Sequence, residues 1–393
     1  WRRKMASLPV QPTCCSLGLG VNLVDAHFAC HMTAGQIAVA AHDPSAKNHT
    51  RPLFHRAVEA GYPAVFIDLT EMKDQCVNEW PAQLIQRLSP IQVLLCGCST
   101  NGWEFELIAC ARAMGIRTAM VAELGMASVD CVRISYLNGA TAPDHVLVTN
   151  ELSKETFVSK LKTEGATHTV VSIGGSIHLE SLASTAPAGK SRLEVLAEYG
   201  VEPSDTSQLL LVPYFSCCDD EHFGVLPEVL KSMVSKVIEF TESLGGLLLV
   251  IRPHPRCSPE AVAAVRHACL GQSHVFLDTA RAVDNTSLLL AADLSLSYGS
   301  TTCLESIMLG TPSAFVIAGW DGLDKFIWEQ FAHCSQMPKV RDPQEMAAFF
   351  RSCQGQVRAA DLCGDADHAE GALERSWAAI SSMMHADECP VVA

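Results

Sequence analysis

Short apolar runs alternate with amphipathic stretches along the first half of the chain. The apolar runs, typical of strands buried on both faces of a parallel sheet, lie at 37–41, 64–69, 91–96, 117–123, 145–150 and 168–175. Helical patterns lie between several of them, at 52–60, 81–88, 104–114 and 151–162. Residues 42–50 are polar, and we expect them to form a loop. This order of strands and helices predicts right-handed βαβ crossovers and a parallel sheet covered on both faces.

The same order returns in the second half. Strands are predicted at 209–215, 246–256, 274–278 and 294–298, and helices at 226–244, 259–270, 286–292 and 303–309, with a last helix at 368–384. The predicted fold class is therefore α/β, with two Rossmann-like parallel-sheet domains. Ligands of such sheets bind at the carboxyl ends of the strands, so the cleft between the two domains is the expected site.

Changes in this pattern set the predicted domain boundaries. They give a non-core leader at 1–31, a first Rossmann-like domain at 32–185, a linker at 186–208, a second Rossmann-like domain at 209–350 and a helical tail at 351–393. The leader faintly resembles an export signal, but prolines and polar residues interrupt its apolar part. We expect Met32 to be the natural start.

Composition narrows the classes of partner and compartment. Hydrophobic residues make up 48% of the sequence and charged residues 18%, which is typical of a globular protein with a large core. The formal net charge is −15 and no face is rich in Lys and Arg, so we expect no nucleic-acid partner. The 17 cysteines form no C-x-x-C pair, which indicates a reduced, cytoplasmic protein without disulfides or a zinc ribbon. No apolar run reaches the roughly 18 residues of a membrane span, which leaves only peripheral membrane contact open.

A polar turn between a predicted strand and a short helix is the first candidate for chemistry. Its residues are Gly299, Ser300, Thr301 and Thr302. A helix that begins there presents free backbone N–H groups, hydroxyl groups and the positive end of its dipole, which suits a phosphate. Alternatively, Thr302 and Glu305 have the spacing of a capping box and only stabilise the helix start.

The second candidate is the turn Arg252-Pro253-His254-Pro255-Arg256, which follows a predicted strand. Its two prolines stiffen the backbone around the histidine. Arginine binds phosphate through two N–H groups, and His254 can donate a hydrogen bond to a phosphate oxygen or protonate a leaving phosphate. The alternative is a rigid surface turn with solvated arginines.

Together these two turns resemble the C-terminal domain of GT-B-fold sugar-nucleotide enzymes, the superfamily of glycosyltransferases and UDP-N-acetylglucosamine 2-epimerases. RPHPR at 252–256 and SYGSTTCLESIMLGTP at 297–312 are similar to the HP and Ser/Thr elements of bacterial sialyltransferase-like and polyol-phosphate transferases. The resemblance implies a GT-B architecture, in which two Rossmann-like domains face a cleft and the second binds the nucleotide-sugar. It also implies that His254 contacts the donor phosphate, that residues 300–302 hold that phosphate, and that Glu305 contacts the donor ribose or sugar.

The first half resembles the same superfamily more loosely. LLCGCSTNGWEFELIACARAMGIRTAMVAE at 94–123 is similar to the G-x-S-S-x-G segment of GT-B-like proteins of surface-sugar gene clusters. The resemblance implies an acceptor side of the cleft lined by Ser99, Thr100, Asn101 and Gly102, although a plain N-capped turn is the alternative. In GT-B transferases the first strand–helix loop often faces the acceptor. Asn48 would then line that side, and the general base would be His42 or Asp43, with Glu123 as a third candidate.

The activity that the resemblance implies is transfer of a sugar from a nucleotide-sugar donor to an acceptor hydroxyl. The donor would be UDP- or CMP-linked and the acceptor a glycan or a small molecule, in surface glycan or glycoconjugate synthesis, with no obligatory cofactor or metal. The possibility that the protein forms a homodimer is left open. One alternative is a UDP-sugar 2-epimerase, but that branch has an aspartate in a G-D-T-x strand end where this chain has Cys98. The other alternative is a catalytically silent nucleotide-binding protein.

Overall fold

Two parallel six-stranded sheets organise the chain. The structure, a computed structural model, describes residues 36–72, 80–87, 90–99, 102–122, 136–185, 189–202, 209–217, 225–242, 244–298, 300–317, 338–353 and 371–385. Each sheet is the centre of one Rossmann-like domain, called here the first and the second domain. The predicted leader at 1–31 lies outside the described residues.

The first sheet has the strand order β2-β1-β3-β4-β5-β6, with every neighbouring pair parallel. Its strands are β1 (Gln36–Ala41), β2 (Ala64–Asp68), β3 (Ile91–Cys96), β4 (Arg117–Val121), β5 (His145–Val148) and β6 (Val170–Ile173). Successive side chains of a strand point to opposite faces. Accordingly Ile37 and Val39 of β1 pack into one hydrophobic cluster and Ala38 and Ala40 into another. Both faces of the sheet are covered, as the apolar runs predict.

Within the described part of the chain, five α-helices lie between the strands of this sheet or directly after the last of them. They are α1 (Pro44–Glu59), α2 (Trp80–Arg87), α3 (Trp103–Ala113), α4 (Glu151–Thr163) and α5 (Ile177–Thr185). The loop expected at 42–50 is wrong, because α1 already begins at Pro44. Proline fits the first helical turn. The buried stripe of this helix runs through Ala46, His49 and Leu53, and its polar member hides the helical period in the sequence.

The second sheet has the order β12-β11-β10-β7-β8-β9 and is also parallel throughout. Its strands are β7 (Leu210–Phe215), β8 (Leu247–Arg252), β9 (Val275–Leu277), β10 (Ser295–Ser297), β11 (Ser313–Val316) and β12 (Lys339–Val340). The central strands β7 and β8 contribute fully buried residues such as Val212, Leu249 and Ile251 to the main core of this domain.

Six α-helices surround the second sheet within the described residues, and α7 to α10 lie close to their predicted positions. They are α6 (Arg192–Glu198), α7 (Pro227–Glu242), α8 (Pro259–Ala268), α9 (Asn285–Ala291), α10 (Thr302–Met308) and α11 (Pro343–Cys353). Helix α6 falls within the stretch expected to be a linker. Its Val195 and Leu196 share a hydrophobic cluster with Leu211 of β7, so this part of the stretch packs into the second domain. The predicted domain limits themselves stay predictions.

The two domains meet through helices. Helix α5, which follows the last strand of the first sheet, contacts both α1 and α10. The final described helix, α12 (Ala372–Met384), returns to the first domain, where Trp377 and Ile380 join the cluster of Ile37. An ion pair of 2.8 Å between Arg56 and Glu374 also holds it there. Among the described residues, no helix combines the length and the apolar character that a membrane span needs.

Candidate active site

The topology brings the predicted site residues to the carboxyl edges of the two sheets. In the first sheet, β1 and β3 are neighbours, and the turns that follow them hold His42, Asp43 and Ser99. In the second sheet, β8 and β10 flank β7, and the turns that follow them hold His254 and Ser300. Strands in a sheet are roughly 5 Å apart, so those last two turns start roughly 10 Å from each other.

His254 is half-buried, and its hydrogen bonding fixes its tautomer. The backbone N–H of Arg256 donates to Nδ1 of His254 at 3.2 Å. Nδ1 is therefore the acceptor nitrogen, and the ring proton lies on Nε2. Burial, together with the positive charges of Arg256 and Arg281, lowers the pKa of His254 to about 4. The free imidazole is neutral at neutral pH, so of its two predicted roles, donation of a hydrogen bond fits and protonation of a leaving group does not.

Arg252 lies in the interior of the second domain. Only 1% of it is exposed, and its guanidinium forms a buried ion pair with Asp278. It also donates to Asn285 Oδ1 at 2.7 Å, to the backbone oxygen of Val283 at 2.8 Å and to the Tyr199 hydroxyl at 3.2 Å. These buried partners fix the end of β8 from the interior of the domain. The contact between Arg252 and a donor phosphate that the motif suggests does not fit this placement.

Arg281, in the loop that follows β9, reaches the turn of His254, although no sequence motif marks it. Its guanidinium donates to the backbone oxygen of Pro253 at 3.3 Å, and its side chain is exposed. Its φ of 53° is in the left-handed region, which side-chain-bearing residues other than Asn and Asp seldom adopt. Arg256, which is exposed, and Arg281 together place two cations beside the imidazole of His254.

The Ser/Thr turn has a different capping arrangement from the one its spacing suggests. Helix α10 begins at Thr302, and its N-cap residue, Thr301, makes no side-chain capping bond. The hydroxyl groups of Ser300 and Thr302 lie 2.9 Å apart, and the backbone N–H of Thr302 donates to Ser300 Oγ at 3.3 Å. The capping box between Thr302 and Glu305 is therefore wrong. Gly299 lies outside the described residues.

Glu305 instead connects the two domains. Its Oε1 lies 3.1 Å from Nε2 of His178 on α5, and both side chains are largely buried, with exposures of 13% and 14%. The ring of His178 lies 5.9 Å from the ring of His49 on α1. Glu305, one turn into α10, thus faces the first domain, and no motif in the sequence marks His178 as its partner.

His42 and Asp43 form a side-chain pair at the first sheet edge. Nδ1 of His42 lies 2.9 Å from Oδ1 of Asp43. An ionised carboxylate only accepts hydrogen bonds, so Nδ1 carries a proton, and in the neutral ring Nε2 then has the free lone pair. The indole of Trp103 packs edge-on against the imidazole, with ring centroids 5.0 Å apart. Asp43 is the more buried member, at 11% side-chain exposure against 19% for His42.

Glu104 lies behind this pair and was not predicted. It is fully buried in the first turn of α3, and its Oε1 accepts the backbone N–H of His42 at 2.9 Å and the hydroxyl of Ser99. Ser99 Oγ in turn accepts the backbone N–H of Asp43 at 3.1 Å. Burial raises the pKa of Glu104, and the charge of Asp43 adds to this rise, while the hydrogen bonds from Ser99 and His42 oppose it.

A charged group at the edge of the first sheet acts on a group at the edge of the second. The Asp43 carboxylate of the first domain acts on the pKa of His254 in the second domain, where it opposes the lowering by burial and by the arginines. The Asp43 carboxylate therefore lies close enough to His254 for its charge to influence the imidazole. The remaining candidates are less informative: Asn48 is exposed on α1, and Thr100, Asn101 and Glu123 lie outside the described residues.

In the described segments, no group of three or more His, Cys, Asp or Glu side chains has a metal-binding arrangement.

Gly102 has a structural reason to be glycine. It is the N-cap residue of α3, with φ of 80°, and a Cβ placed on it would lie 2.8 Å from the ring of Tyr136. Its φ alone disfavours any residue with a side chain, by about 1–2 kcal/mol.

We expect Gly102→Ala to lower the free energy of unfolding by more than this backbone cost, because Tyr136 must also move. Gly115→Ala is the matched control, since Gly115 has a φ of 76° and a Cβ placed on it would meet no atom within 4 Å. Urea denaturation of both variants measures the difference. Equal losses in the two variants would show that the contact with Tyr136 has no energetic weight.

Comparison with known proteins agrees with this architecture. No family model and no curated protein matches the sequence. Among solved structures, the chain is similar to UDP-GlcNAc 2-epimerase from Neisseria meningitidis bound to UDP-GlcNAc, with a TM-score of 0.62, 11% identity, and coverage of 88% of this chain and 100% of that one. It is also similar to UDP-GlcNAc 2-epimerase from Methanocaldococcus jannaschii, with a TM-score of 0.56, 11% identity and coverage of 82% and 94%. A UDP-forming α,α-trehalose-phosphate synthase from Burkholderia xenovorans gives a TM-score of 0.56, 10% identity and coverage of 91% and 100%. The similarity extends over both sheets, and the chain has the GT-B fold.

Proposed function

We propose that this protein is a GT-B glycosyltransferase that moves a sugar from a nucleotide-sugar donor, UDP- or CMP-linked, to an acceptor hydroxyl. The observation that carries the proposal is that one sheet edge holds a possible proton acceptor and the other holds groups that can bind a phosphate. The His42–Asp43 pair can accept a proton on one edge, and the Nε2–H of His254 with two arginines can receive a leaving phosphate on the other. A UDP donor is favoured, because solved structures of the same fold bind UDP-GlcNAc or form UDP.

In the proposed reaction, Nε2 of His42 takes the proton of the acceptor hydroxyl as its oxygen attacks the anomeric carbon. The bond from that carbon to the phosphate oxygen breaks, and the nucleotide leaves with the electron pair. The Nε2–H of His254 and the guanidinium groups of Arg256 and Arg281 stabilise the charge that develops on the phosphate. Asp43 holds the His42 ring in the required tautomer and stabilises its protonated form. This scheme needs no metal in its steps.

A UDP-sugar 2-epimerase is the second candidate. The His42–Asp43 pair, with a neutral imidazole at His254, can also remove a proton from a sugar carbon. The buried Cys98 stands against this reaction, because it occupies the position of an aspartate in the epimerase pattern. A silent nucleotide-binding protein would bind the same ligands without turnover.

Two experiments test the proposal: ligand binding is measured first, and consumption of the donor second. We expect UDP to raise the melting temperature more than CMP, CDP or GDP at equal concentration, because a ligand that binds only the folded state stabilises it by mass action. UDP-N-acetylglucosamine and other UDP-sugars are then incubated with the protein, with and without a panel of sugar and polyol acceptors. Consumption that requires an acceptor supports the transferase. Conversion without an acceptor would instead support the epimerase, and a UDP shift with no turnover of any donor would support the silent protein.

A further inference from the structure

A fully buried carboxylate at Glu104 requires a structural explanation. Charged side chains are almost never fully buried unless they are paired, and among the described residues Glu104 has no cationic partner in hydrogen-bond range. The dipole of α3 attracts acidic residues to its first turn, but Glu106 in the same turn is exposed and meets that need from the surface. Position 104 lies on the buried stripe of α3 together with Leu107, Ile108 and Ala111. Neither this position nor the helix dipole explains why the residue there is a carboxylate.

The contacts of Glu104 connect two turns of the sheet edge. Its Oε1 accepts the backbone N–H of His42, and the Ser99 hydroxyl that donates to it also accepts the backbone N–H of Asp43. Consecutive N–H groups of the turn after β1 are thus bound by side chains from the turn after β3 and the start of α3. The backbone that carries the His42–Asp43 pair is fixed at both of its residues.

The N-cap of α1 has a matching feature. Asp43 occupies the N-cap position, where an aspartate ordinarily accepts backbone N–H groups of the helix, yet its side chain makes no capping bond. Its carboxylate turns to the ring of His42 instead. Glu104 and Ser99 hold the turn from the other side, through its backbone N–H groups.

We propose that Glu104 is the positioning residue of the general base: through Ser99 and the backbone of residues 42 and 43, it holds the imidazole of His42 in the orientation that accepts the acceptor's proton. This inference rests on the proposed function. The two hydrogen bonds to Oε1 offset part of the cost of burying the carboxylate, and the proximity of Asp43 adds to that cost. The group does not touch the substrates, so its removal affects the proton transfer and leaves donor binding on the second domain unchanged.

The test compares Glu104→Ala, Glu104→Gln and the control Glu106→Ala in the full chain. With a UDP-sugar and an acceptor that the wild type uses, we expect Glu104→Ala to lower kcat about 10- to 100-fold, while the donor KM and the UDP-induced shift in melting temperature stay within about twofold. Glu104→Gln keeps an oxygen acceptor for the His42 N–H and should recover most of kcat. Glu106→Ala should behave as wild type. A kcat for Glu104→Ala equal to that of Glu106→Ala would overturn the inference, and so would an equal loss of donor binding, since that points to general structural damage.

Two further arms separate the possible failures. If Glu104→Ala does not fold, Ser99→Ala takes its place, because it removes the bridging hydroxyl and leaves the carboxylate. Its kcat should fall about 5- to 10-fold with an unchanged donor KM, and a wild-type kcat would overturn the inference. Failure of the proposed function looks different, because the wild-type protein itself would then turn over no donor with any acceptor.

Discussion

Replacement of His254 by alanine should lower kcat about 100- to 1000-fold, which is the loss that removal of one preorganised donor to a developing negative charge produces. The neutral ring donates through Nε2–H, because Nδ1 accepts the backbone N–H of Arg256. Without that donor, the leaving phosphate loses a partly buried N–H group, and the arginines that remain beside it are exposed. We expect the fold to survive, because the side chain is half-buried and its one backbone bond lies within its own turn.

The measurement is steady-state kinetics together with thermal denaturation. His267→Ala is the matched control, since His267 is exposed in the last turn of α8, and a crossover helix ends at the amino edge of its sheet, away from the site. His254→Gln retains an N–H donor of similar reach and should lose less activity than His254→Ala. Near-normal turnover in a folded His254→Ala protein would remove His254 from the mechanism.

Loss of the His42–Asp43 pair should lower kcat by a factor similar to that expected for His254→Ala. Asp43→Asn keeps the shape of the side chain but cannot hold Nδ1–H of His42 as an ionised carboxylate does. General bases contribute about 10²- to 10⁴-fold, and we expect kcat to fall within this range for Asp43→Asn and for His42→Ala. Donor binding on the second domain should change little, so the UDP-induced thermal shift should remain.

The double variant shows whether the two residues act as one unit. Residues of one catalytic unit are non-additive, so His42→Ala combined with Asp43→Asn should lose no more than the more severe single variant. Asp68→Asn is the control, because Asp68 ends β2 at the same sheet edge but is bound to Lys47 at 2.6 Å. If the losses of the two single variants multiply, or if both variants retain wild-type kcat, the assignment of the base is wrong.

The fold could be predicted from the sequence because its strands carry a strong local signal. Strand β3 spans the predicted run at 91–96, and the other predicted strands of both sheets lie within a few residues of their runs. The start of α1 was missed because its buried stripe includes His49 and Thr50, polar residues whose burial depends on neighbours far away in the sequence. A single-sequence pattern assigns such residues to the surface.

The candidate site was predictable only where a motif carried it. His254 follows from its proline-flanked turn, and the resemblance placed it at the second sheet edge. Arg252 belongs to the same motif, yet its side chain turns to Asp278, a strand away, which the local sequence does not reveal. Glu104 and Arg281 lie outside any motif, because their relevance comes from contacts with turns 62 and 28 residues distant. Long-range pairing of polar groups is thus the part that the sequence alone leaves open.

Because helix α12 packs against the first domain, the order in which parts of that domain fold depends on when α12 is synthesised. Val39 in β1 and Trp377 in α12 belong to one hydrophobic cluster, although the whole second domain is made between them. While the ribosome is still making that domain, one face of the first sheet lacks this part of its cover and stays available to chaperones. Folding of the first domain is therefore completed only after α12 has left the ribosome, and a nascent chain stalled in the second domain exposes an apolar surface that favours aggregation.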